Sequence, residues 1–338
     1  MNISAAAPTA LIGLDWGTSS LRAFRYDALG QVVERRHSDH GITRLPAAGD
    51  EGFAQALALV AGDWLLAHPT VPVVASGMVG SAQGWREAAY VALPAAASQL
   101  GQGGSKVTLD GVATHVPGAD AQAWAQRTMT ILPGLIERGP APVLPNVMRG
   151  EETQIFGALL QADAPDDLVV VLPGTHSKWV RVQRGVVTHF DSFMTGEVFA
   201  ALKAHTILGR TMAPNEGFAA DAFARGLQVA ASAQGANGAL STIFSTRTLG
   251  LEGQLPGDQQ ADYLSGLLIG HEVHAMALQL AQRQPLAQCP VWLIGSDALC
   301  ARYVTALQAA GLTQLRTMPQ ATEAGLWSMA TASGLVAA

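Results

Sequence analysis

The first eighty residues alternate short apolar runs with polar, glycine-containing turns. Predicted strands lie at residues 10–15, 21–26, 31–36 and 71–75, and a predicted helix lies at 52–67. Within the helical segment the apolar residues have the spacing of a helix that buries one face. The resulting order of three strands, a helix and a strand differs from a dinucleotide-binding unit, in which a helix follows the first strand.

The second half of the chain repeats this order. Its predicted elements are strands at 168–172, 179–182 and 186–190, a helical stretch that begins at Glu197, and a later buried strand at 291–294. Each half therefore opens with a strand, a Gly-Thr turn, a second strand, a glycine turn and a third strand. Because 338 residues are also many for a single core, we predict two duplicated domains, at 1–150 and 151–338.

Composition and charge narrow the class of protein. Hydrophobic residues make up 49% of the chain and charged residues 14%, as expected of a folded enzyme rather than a disordered chain. The net charge of −6 offers no basic surface for nucleic acid. The two cysteines are too few for a disulfide framework or a zinc site. No basic residue precedes Arg22 and no apolar run is long enough to span a membrane, so we expect a cytoplasmic protein without membrane partners.

Two glycine turns have the composition of phosphate-binding loops. Gly17-Thr18-Ser19 follows the first strand of the first half, and Gly174-Thr175-His176 follows the first strand of the second half. Glycine allows a ligand to approach the backbone closely, and successive N–H groups together with hydroxyls can hold phosphate oxygens. We therefore expect both turns to bind nucleotide phosphates. His176 either donates to a phosphate or caps its own turn.

One charged residue flanks each turn. Asp15, just before the first turn, can hold Mg²⁺ through water while the metal bridges phosphates. The alternative is an acid that only stabilises the turn. Lys178, just after the second turn, can neutralise charge on a transferring phosphoryl group. The alternative for Lys178 is a solvated lysine at a strand edge.

Several segments resemble known families. DWGTSS at 15–20 and LPGTHSKWV at 172–180 are similar to the two phosphate motifs of the superfamily that includes acetate and sugar kinases, heat-shock chaperone ATPases and actin. More narrowly, the chain resembles the 2-dehydro-3-deoxygalactonokinases over nearly its whole length. The further matching segments are GMVGS at 77–81, GW at 84–85, NVMRGEETQ at 146–154, MTGE at 194–197 and LSGLLIG at 264–270.

This resemblance implies a fold and a reaction. The implied fold is α/β, with two duplicated ribonuclease-H-like domains (the actin-like ATPase fold) around a central cleft for ATP and sugar. The first domain would hold the sugar acid and the second the nucleotide, while a final helix at 321–332 packs back across the cleft. The implied reaction transfers the γ-phosphate of ATP, with Mg²⁺, to the 6-hydroxyl of 2-dehydro-3-deoxy-D-galactonate, a 2-keto-3-deoxy sugar acid of galactonate catabolism. Sugar kinases are often dimers, so a homodimer is one option for the assembly.

Glu151 and Glu152 are the candidates for the base that accepts the proton of the sugar hydroxyl. They begin a predicted helix at 151–160, at a position similar to that of the catalytic aspartate in related sugar kinases. The chain departs from that pattern in having two glutamates, of which we prefer Glu151. Acids are also favoured in the first turn of a helix by its dipole, so a structural role stays open. Asp191, after the third strand of the second half, is the reserve candidate or else a loop cap.

Arg149, Arg22, Gly80 and Trp85 are the candidates for the sugar-acid site. A planar guanidinium can bind the substrate's carboxylate through two hydrogen bonds. Arg149 stands beside the glutamate pair and is the first choice, with Arg22 the second. Trp85 either walls the sugar pocket or belongs to the core.

Gly295 and Ser296 stand where the resemblance places the family's adenosine motif, between a predicted strand and a helix. Related kinases often have more glycines at this turn. Ser296 and Asp297 depart from that pattern, so contacts to the nucleotide base follow less directly from the resemblance than phosphate binding does.

Other functions fit parts of the pattern. A kinase for the gluconate epimer would differ in the contacts to one hydroxyl. A chaperone or actin-like ATPase needs long insertions or an added domain, for which this chain has no room. A non-catalytic sugar-binding regulator should lack the metal ligand or the base, whereas Asp15, Glu151 and Glu152 are all present. The sequence therefore favours a small-molecule kinase.

Overall fold

The computed structural model describes residues 8–140 and 144–337. The contacts within the chain divide it into two compact units. The N-terminal unit consists of the described parts of Met1–Asp166, Gln183–His189 and Pro319–Ala338, and the C-terminal unit consists of Asp167–Val182 and Phe190–Met318.

Both units contain strands and helices. The strands are β1 (Thr9–Trp16), β2 (Leu21–Asp27), β3 (Val32–Ser38), β4 (Val73–Gly77), β5 (Val91–Ala92), β6 (Ser105–Thr108), β7 (Thr128–Ile131), β8 (Leu135–Glu137), β9 (Asn146–Met148), β10 (Asp167–Leu172), β11 (Ser177–Gln183), β12 (Val186–Phe193), β13 (Pro290–Leu293) and β14 (Gln314–Thr317). The helices are α1 (Gly49–Ala67), α2 (Ala97–Gln102), α3 (Asp110–Ala113), α4 (Ala121–Trp124), α5 (Glu151–Gln161), α6 (Thr195–His205), α7 (Ala220–Ala230), α8 (Ala239–Thr242), α9 (Ser245–Leu251), α10 (Gln260–Ala281), α11 (Asp297–Ala309) and α12 (Ala321–Ala332). Short 3-10 turns lie at Met78–Gly80, Ile207–Thr211, Gly235–Asn237 and Leu286–Gln288. None of the helices in the described part of the chain combines the length and apolar character needed to cross a bilayer.

One main sheet organises each unit. The N-terminal sheet has the order β3-β2-β1-β4-β7-β6, with β1 antiparallel to β2 and parallel to β4, and with β4 parallel to β7. The second sheet has the order β12-β11-β10-β13-β14, in which β10, β13 and β14 are parallel. A small third sheet has the order β5-β8-β9. The first five strands of the main sheets thus repeat one order, which confirms the predicted duplicated ribonuclease-H-like α/β fold.

An aromatic cluster lies in the core between α1 and the N-terminal sheet. The ring of Trp85 stacks on Phe53 at 5.7 Å and meets Trp16 edge-on at 6.1 Å between ring centroids. All three side chains are buried. Of the two alternatives for Trp85, these contacts favour core packing over the wall of a sugar pocket.

Helix α10 is the central helix of the C-terminal unit. It is buried along most of its length and packs against α7. Its Ile269, Val273 and Met276 belong to a core cluster that also contains residues of β10, β13 and α11. This core lies directly behind the strands that lead into the predicted nucleotide-binding turns.

Helix α12 packs against α5 within the N-terminal unit, and glycines lie where the two helices meet. A Cβ atom on Gly157 of α5 would lie 1.9 Å from the Ala321 carbonyl oxygen, and one on Gly325 of α12 would lie 1.9 Å from the Thr153 carbonyl oxygen. The two helix backbones therefore touch. The two units differ from the predicted domains at 1–150 and 151–338. Both α5 and α12 belong to the N-terminal unit.

Replacing Gly157 with alanine should destabilise the N-terminal unit. The added Cβ has no room unless α5 and α12 separate, and such overpacking costs about 3 kcal/mol. Urea unfolding followed by tryptophan fluorescence measures this loss. Gly111→Ala is the matched control, since a Cβ there would meet only the Ala54 Cβ at an ordinary 3.8 Å. Equal stability of the two variants would contradict the close helix contact.

Candidate active site

The first glycine turn presents its outer face to solvent and is supported from behind. The Gly17 N–H donates to the Ser20 carbonyl oxygen at 2.9 Å, and Thr18 and Ser19 are exposed. A loop lies against the turn so closely that a Cβ on Gly41 would be 2.4 Å from the Ser19 backbone. The turn is thus fixed by backbone contacts while its hydroxyls remain available to a ligand.

Asp15 and Arg22 form an ion pair beside this turn. They are cross-strand partners of β1 and β2, and the Arg22 guanidinium donates from Nε at 2.9 Å and also from Nη2 to Asp15 Oδ2. The side chain of Asp15 is 14% exposed and that of Arg22 is 43% exposed. Asp15 is therefore hydrogen-bonded to the Arg22 guanidinium rather than to the backbone of the turn. The guanidinium of Arg22 is accessible to a ligand.

The amino end of α5 lies next to the first turn. Gly77 at the end of β4 has φ 95°, and a Cβ there would be 2.7 Å from the Trp16 carbonyl oxygen. Gly150, which precedes α5, has φ 106°, and a Cβ there would be 3.2 Å from the Gly77 Cα. Positive φ and the lack of space both require glycine at these positions. Through these two glycines the end of β1, the end of β4 and the start of α5 come together.

The two glutamates at the start of α5 have different environments. Glu152 is 0% exposed and accepts a hydrogen bond from the Gly150 N–H at 2.7 Å. Burial, with a smaller contribution from the nearby Glu151 carboxylate, raises the pKa of Glu152 to about 8. Glu151 is partly exposed and accepts from the Arg149 N–H at 3.0 Å. The neutral form of Glu152 is thus favoured near pH 7, which suits a capping group better than a proton acceptor.

Arg149 is buried behind the helix start. Its Nη2 donates to the Ala88 carbonyl oxygen at 2.7 Å, and its guanidinium lies 4.3 Å from the centroid of the Tyr90 ring. Gly80 leaves space for it, because a Cβ there would be 3.0 Å from Arg149 Nη1. Nε and Nη1 are buried without a hydrogen-bond partner among the described residues. Arg149 and Gly80 are therefore neighbours, but the guanidinium is less accessible than that of Arg22.

The second glycine turn, in the C-terminal unit, is also backed by a glycine contact. A Cβ on Gly196 at the start of α6 would lie 2.3 Å from the Gly174 carbonyl oxygen. The Glu197 N–H donates to the Thr175 carbonyl oxygen at 2.9 Å, and the Glu197 carboxylate pairs with His176. This contact explains the position of the MTGE segment. The ring of His176 has a carboxylate partner, and half of its surface remains exposed.

Lys178 is buried rather than solvated. It is 6% exposed, and its Nζ donates to Ser192 Oγ at 2.6 Å across β11 and β12. The alternative of a solvated strand-edge lysine is therefore wrong. Asp191 is partly exposed on β12, next to Ser192.

A cavity of about 330 Å³ opens beside the second turn. Its lining residues are Gly174, Thr175, Thr195, Gly196, Phe199, Ser265, Leu268, Ile269, Leu299, Arg302 and Tyr303. Gly295 and Ser296 are exposed at the start of α11, and a Cβ on Gly295 would lie 3.4 Å from the Pro173 carbonyl oxygen. The two predicted nucleotide segments therefore lie close to each other, and the first of them lines the cavity through Gly174 and Thr175.

Sequence reasoning missed most of the cavity lining. Phe199 is on α6, Ser265 is on α10, and Arg302 is on α11. The sequence predicted no role for these helices, and no local motif distinguishes the three residues. The LSGLLIG segment, which contains Ser265, could have pointed to the cavity only through its resemblance to the family.

Comparison with known proteins identifies the family of this chain. The family model described as 2-keto-3-deoxy-galactonokinase matches residues 15–329. The chain belongs to this family. The 2-dehydro-3-deoxygalactonokinase of Escherichia coli K12 is 37% identical over 302 residues, covering 89% of this chain and 90% of the relative. A candidate kinase of the same name from Rhizobium meliloti is 39% identical over 303 residues, covering 88% of this chain and 89% of the relative.

A solved structure supports the same membership. The crystal structure of a candidate 2-dehydro-3-deoxygalactonokinase from Sinorhizobium meliloti is 33% identical and has a TM-score of 0.78. The alignment covers 95% of this chain and 98% of that protein. The galactonokinase family resemblance seen in the motifs is thus confirmed at the level of the whole fold.

Replacing Glu152 with glutamine should make stability less dependent on pH. A carboxyl whose pKa rises from 4.5 to about 8 on folding stabilises the protein fully below pH 4.5, and this contribution is lost as the pH rises towards 8. The lost stability approaches about 1.4 kcal/mol per pH unit. Urea unfolding between pH 5 and pH 8 should therefore show Glu152→Gln gaining stability over the wild type as the pH rises.

The exposed Glu216 provides the control for this measurement. Glu216→Gln should follow the wild type across the same pH range. A constant difference between Glu152→Gln and the wild type would mean that the Glu152 carboxyl ionises normally in the folded protein.

Proposed function

We propose that the protein transfers the γ-phosphate of ATP to the 6-hydroxyl of 2-dehydro-3-deoxy-D-galactonate. The observation that carries the proposal is the family match over residues 15–329, which includes Asp15, the α5 glutamates and Lys178. The curated relative from Escherichia coli that shares 37% of its residues with this chain is named for this substrate. The identity of the sugar acid rests on that relationship, because one hydrogen bond can discriminate between epimers.

The C-terminal unit supplies the nucleotide contacts in this proposal. The exposed backbone of the turn at 174–176 binds ATP phosphates, and the adjoining cavity accepts the nucleoside. Leu268, Ile269 and Phe199 give that cavity an apolar lining, which suits the faces of a base. Lys178 neutralises charge on the phosphoryl group, and its hydrogen bond to Ser192 fixes the direction of its side chain.

The N-terminal unit supplies the contacts to the sugar acid and the metal. Arg22 is the more exposed of the two candidate arginines, so we assign the substrate carboxylate to Arg22. Arg149 instead holds the segment that contains Ala88 and Tyr90. The Thr18 and Ser19 hydroxyls complete the first phosphate turn.

Asp15 fits a water-mediated magnesium site. Mg²⁺ in kinases commonly takes one or two carboxylates, with phosphates and water completing its shell. In the described chain only Oδ2 of Asp15 has a recorded hydrogen-bond partner, which leaves Oδ1 for a metal-bound water. Bound Mg²⁺ would neutralise charge on the ATP phosphates.

Glu151 is the better candidate for the base. A general base must reach the sugar hydroxyl and be ionised near pH 7. Glu152 is fully buried, and its raised pKa favours the neutral form. Glu151 is partly exposed at the same helix end, so its carboxylate is accessible to a substrate hydroxyl. Asp191 remains the alternative.

The cytoplasmic location and the homodimer also remain predictions. A cytoplasmic location agrees with the use of ATP as a substrate. Light scattering on the purified protein would measure the oligomeric state directly.

The function is tested by steady-state ADP formation with MgATP and 2-dehydro-3-deoxygalactonate, with the gluconate epimer assayed in parallel. We expect turnover with the galacto compound and at least tenfold lower kcat/KM with its epimer, about the value of one lost hydrogen bond. Glu151→Gln should lower kcat by about 100-fold or more while ATP still binds. Glu152→Gln is the matched control and should retain more activity.

Several outcomes would contradict parts of this proposal. Preference for the gluconate epimer would overturn the assigned substrate. A larger loss of kcat in Glu152→Gln than in Glu151→Gln would exchange the roles of the two glutamates. Full activity in both variants would indicate that Asp191, rather than either glutamate, is the base.

Lys178→Met should lower kcat by about 100-fold or more, because a positioned cation stabilises the transition state in a water-poor site. Methionine keeps an unbranched apolar side chain that is one atom shorter, and it removes the charge. Lys106→Met, at an exposed position of β6, should leave kcat unchanged. Similar kcat values for the two variants would exclude Lys178 from the phosphoryl-transfer step.

A further inference from the structure

A buried carboxylate on α10 collects hydrogen bonds from three segments of the C-terminal unit. Glu272 is 3% exposed. Its Oε2 accepts from Ser177 Oγ at 2.8 Å, from Tyr303 Oη at 2.9 Å and from Thr195 Oγ1. Its Oε1 accepts from Trp179 Nε1 at 2.8 Å. Four donors on β11, α6 and α11 thus converge on one side chain.

These donors adjoin the second glycine turn and its cavity. Ser177 directly follows the turn at 174–176, and Thr195 precedes Gly196, which touches the Gly174 carbonyl oxygen. Thr195 and Tyr303 also line the cavity, whereas Glu272 itself does not. Glu272 therefore holds the groups around the cavity without facing it.

We propose that Glu272 is a positioning residue for ATP, which fixes the turn at 174–176 and the two cavity-lining hydroxyls in the geometry that binds the nucleotide. This inference rests on the proposed function, in which that turn binds ATP phosphates. Glu272 acts only through Ser177, Thr195 and Tyr303 and contacts neither substrate.

The chemistry of the four donors explains why this residue is a carboxylate. The oxygens of a carboxyl group have enough lone pairs to accept hydrogen bonds from all four donors. Burial raises the pKa of Glu272 above its usual value, although its hydrogen bonds with Thr195, Trp179, Ser177 and Tyr303 oppose this increase. A glutamine would place its amide oxygen towards Trp179 and two N–H groups towards three hydroxyls. At least one of the hydroxyls would then lose its bond.

The test compares ATP binding in Glu272→Gln, Ser177→Ala and the wild type by calorimetry, without sugar acid. Both variants should raise the Kd for ATP, by about tenfold for Glu272→Gln, the value of a hydrogen bond to a charged group. In steady-state assays the KM for ATP should rise similarly, while the KM for the sugar acid changes less than about twofold. A general loss of stability would not separate the two substrates in this way.

Gln260→Leu is the matched control. Gln260 is buried on the same helix and has two hydrogen bonds, to Thr211 and to the Leu255 carbonyl oxygen. Its loss should lower stability without changing the Kd for ATP.

An unchanged Kd for ATP in Glu272→Gln, or an equal rise in Gln260→Leu, would overturn the inference. If Glu272→Gln does not fold, Ser177→Ala decides, because it leaves the other three bonds to Glu272 in place. A wild type that binds ATP but does not phosphorylate 2-dehydro-3-deoxygalactonate would contradict only the assigned substrate. The binding measurements would still decide the role of Glu272.

Discussion

A phosphate-binding turn exposes its backbone N–H groups to the ligand, so it must be held in place from its other side. Both turns of this protein are held by a glycine that touches the backbone of the turn. Gly41 lies against Ser19 in the N-terminal unit, and Gly196 lies against Gly174 in the C-terminal unit. Any side chain at either position would push the turn away from its support. The geometry of the two candidate phosphate sites thus depends on backbone contacts that leave no space for a Cβ atom.

The charged groups around these turns are paired in the structure. Asp15 is paired with Arg22, His176 with Glu197, and Lys178 with a hydroxyl. Pairing lowers the free energy of charges that are partly removed from water. In the N-terminal unit, a carboxylate substrate and a metal would each offer a new partner to one member of the Asp15–Arg22 pair. Binding at this proposed site would therefore be an exchange of electrostatic partners rather than the filling of an empty charged pocket.

The sequence predicted the opening strands of both halves and helices α1, α5 and α12 because their signals are local. Strand periodicity, glycine turns and the acidic first turn of α5 each lie within a few neighbouring residues. The pairing of Asp15 with Arg22 also follows from a short hairpin.

Contacts between distant residues gave no such signal. The contact between Gly157 and Gly325 places α5 and α12 in one unit, and Glu272 meets Ser177 across 95 positions of the chain. Trp85 was ambiguous for the same reason, since only its packing distinguishes a core residue from a pocket wall.

The path of the chain has a consequence for biosynthesis. The chain passes between the two units after residues 166, 182, 189 and 318. Helix α12, which packs on α5 and β1, therefore leaves the ribosome after the C-terminal unit, although most of the unit that contains it is made first. Until α12 arrives, the apolar faces of α5 and β1 that it covers stay open, and such surfaces promote aggregation in incomplete chains. The N-terminal unit is then completed only after the C-terminal unit has been synthesised, so the order of folding differs from the order of translation.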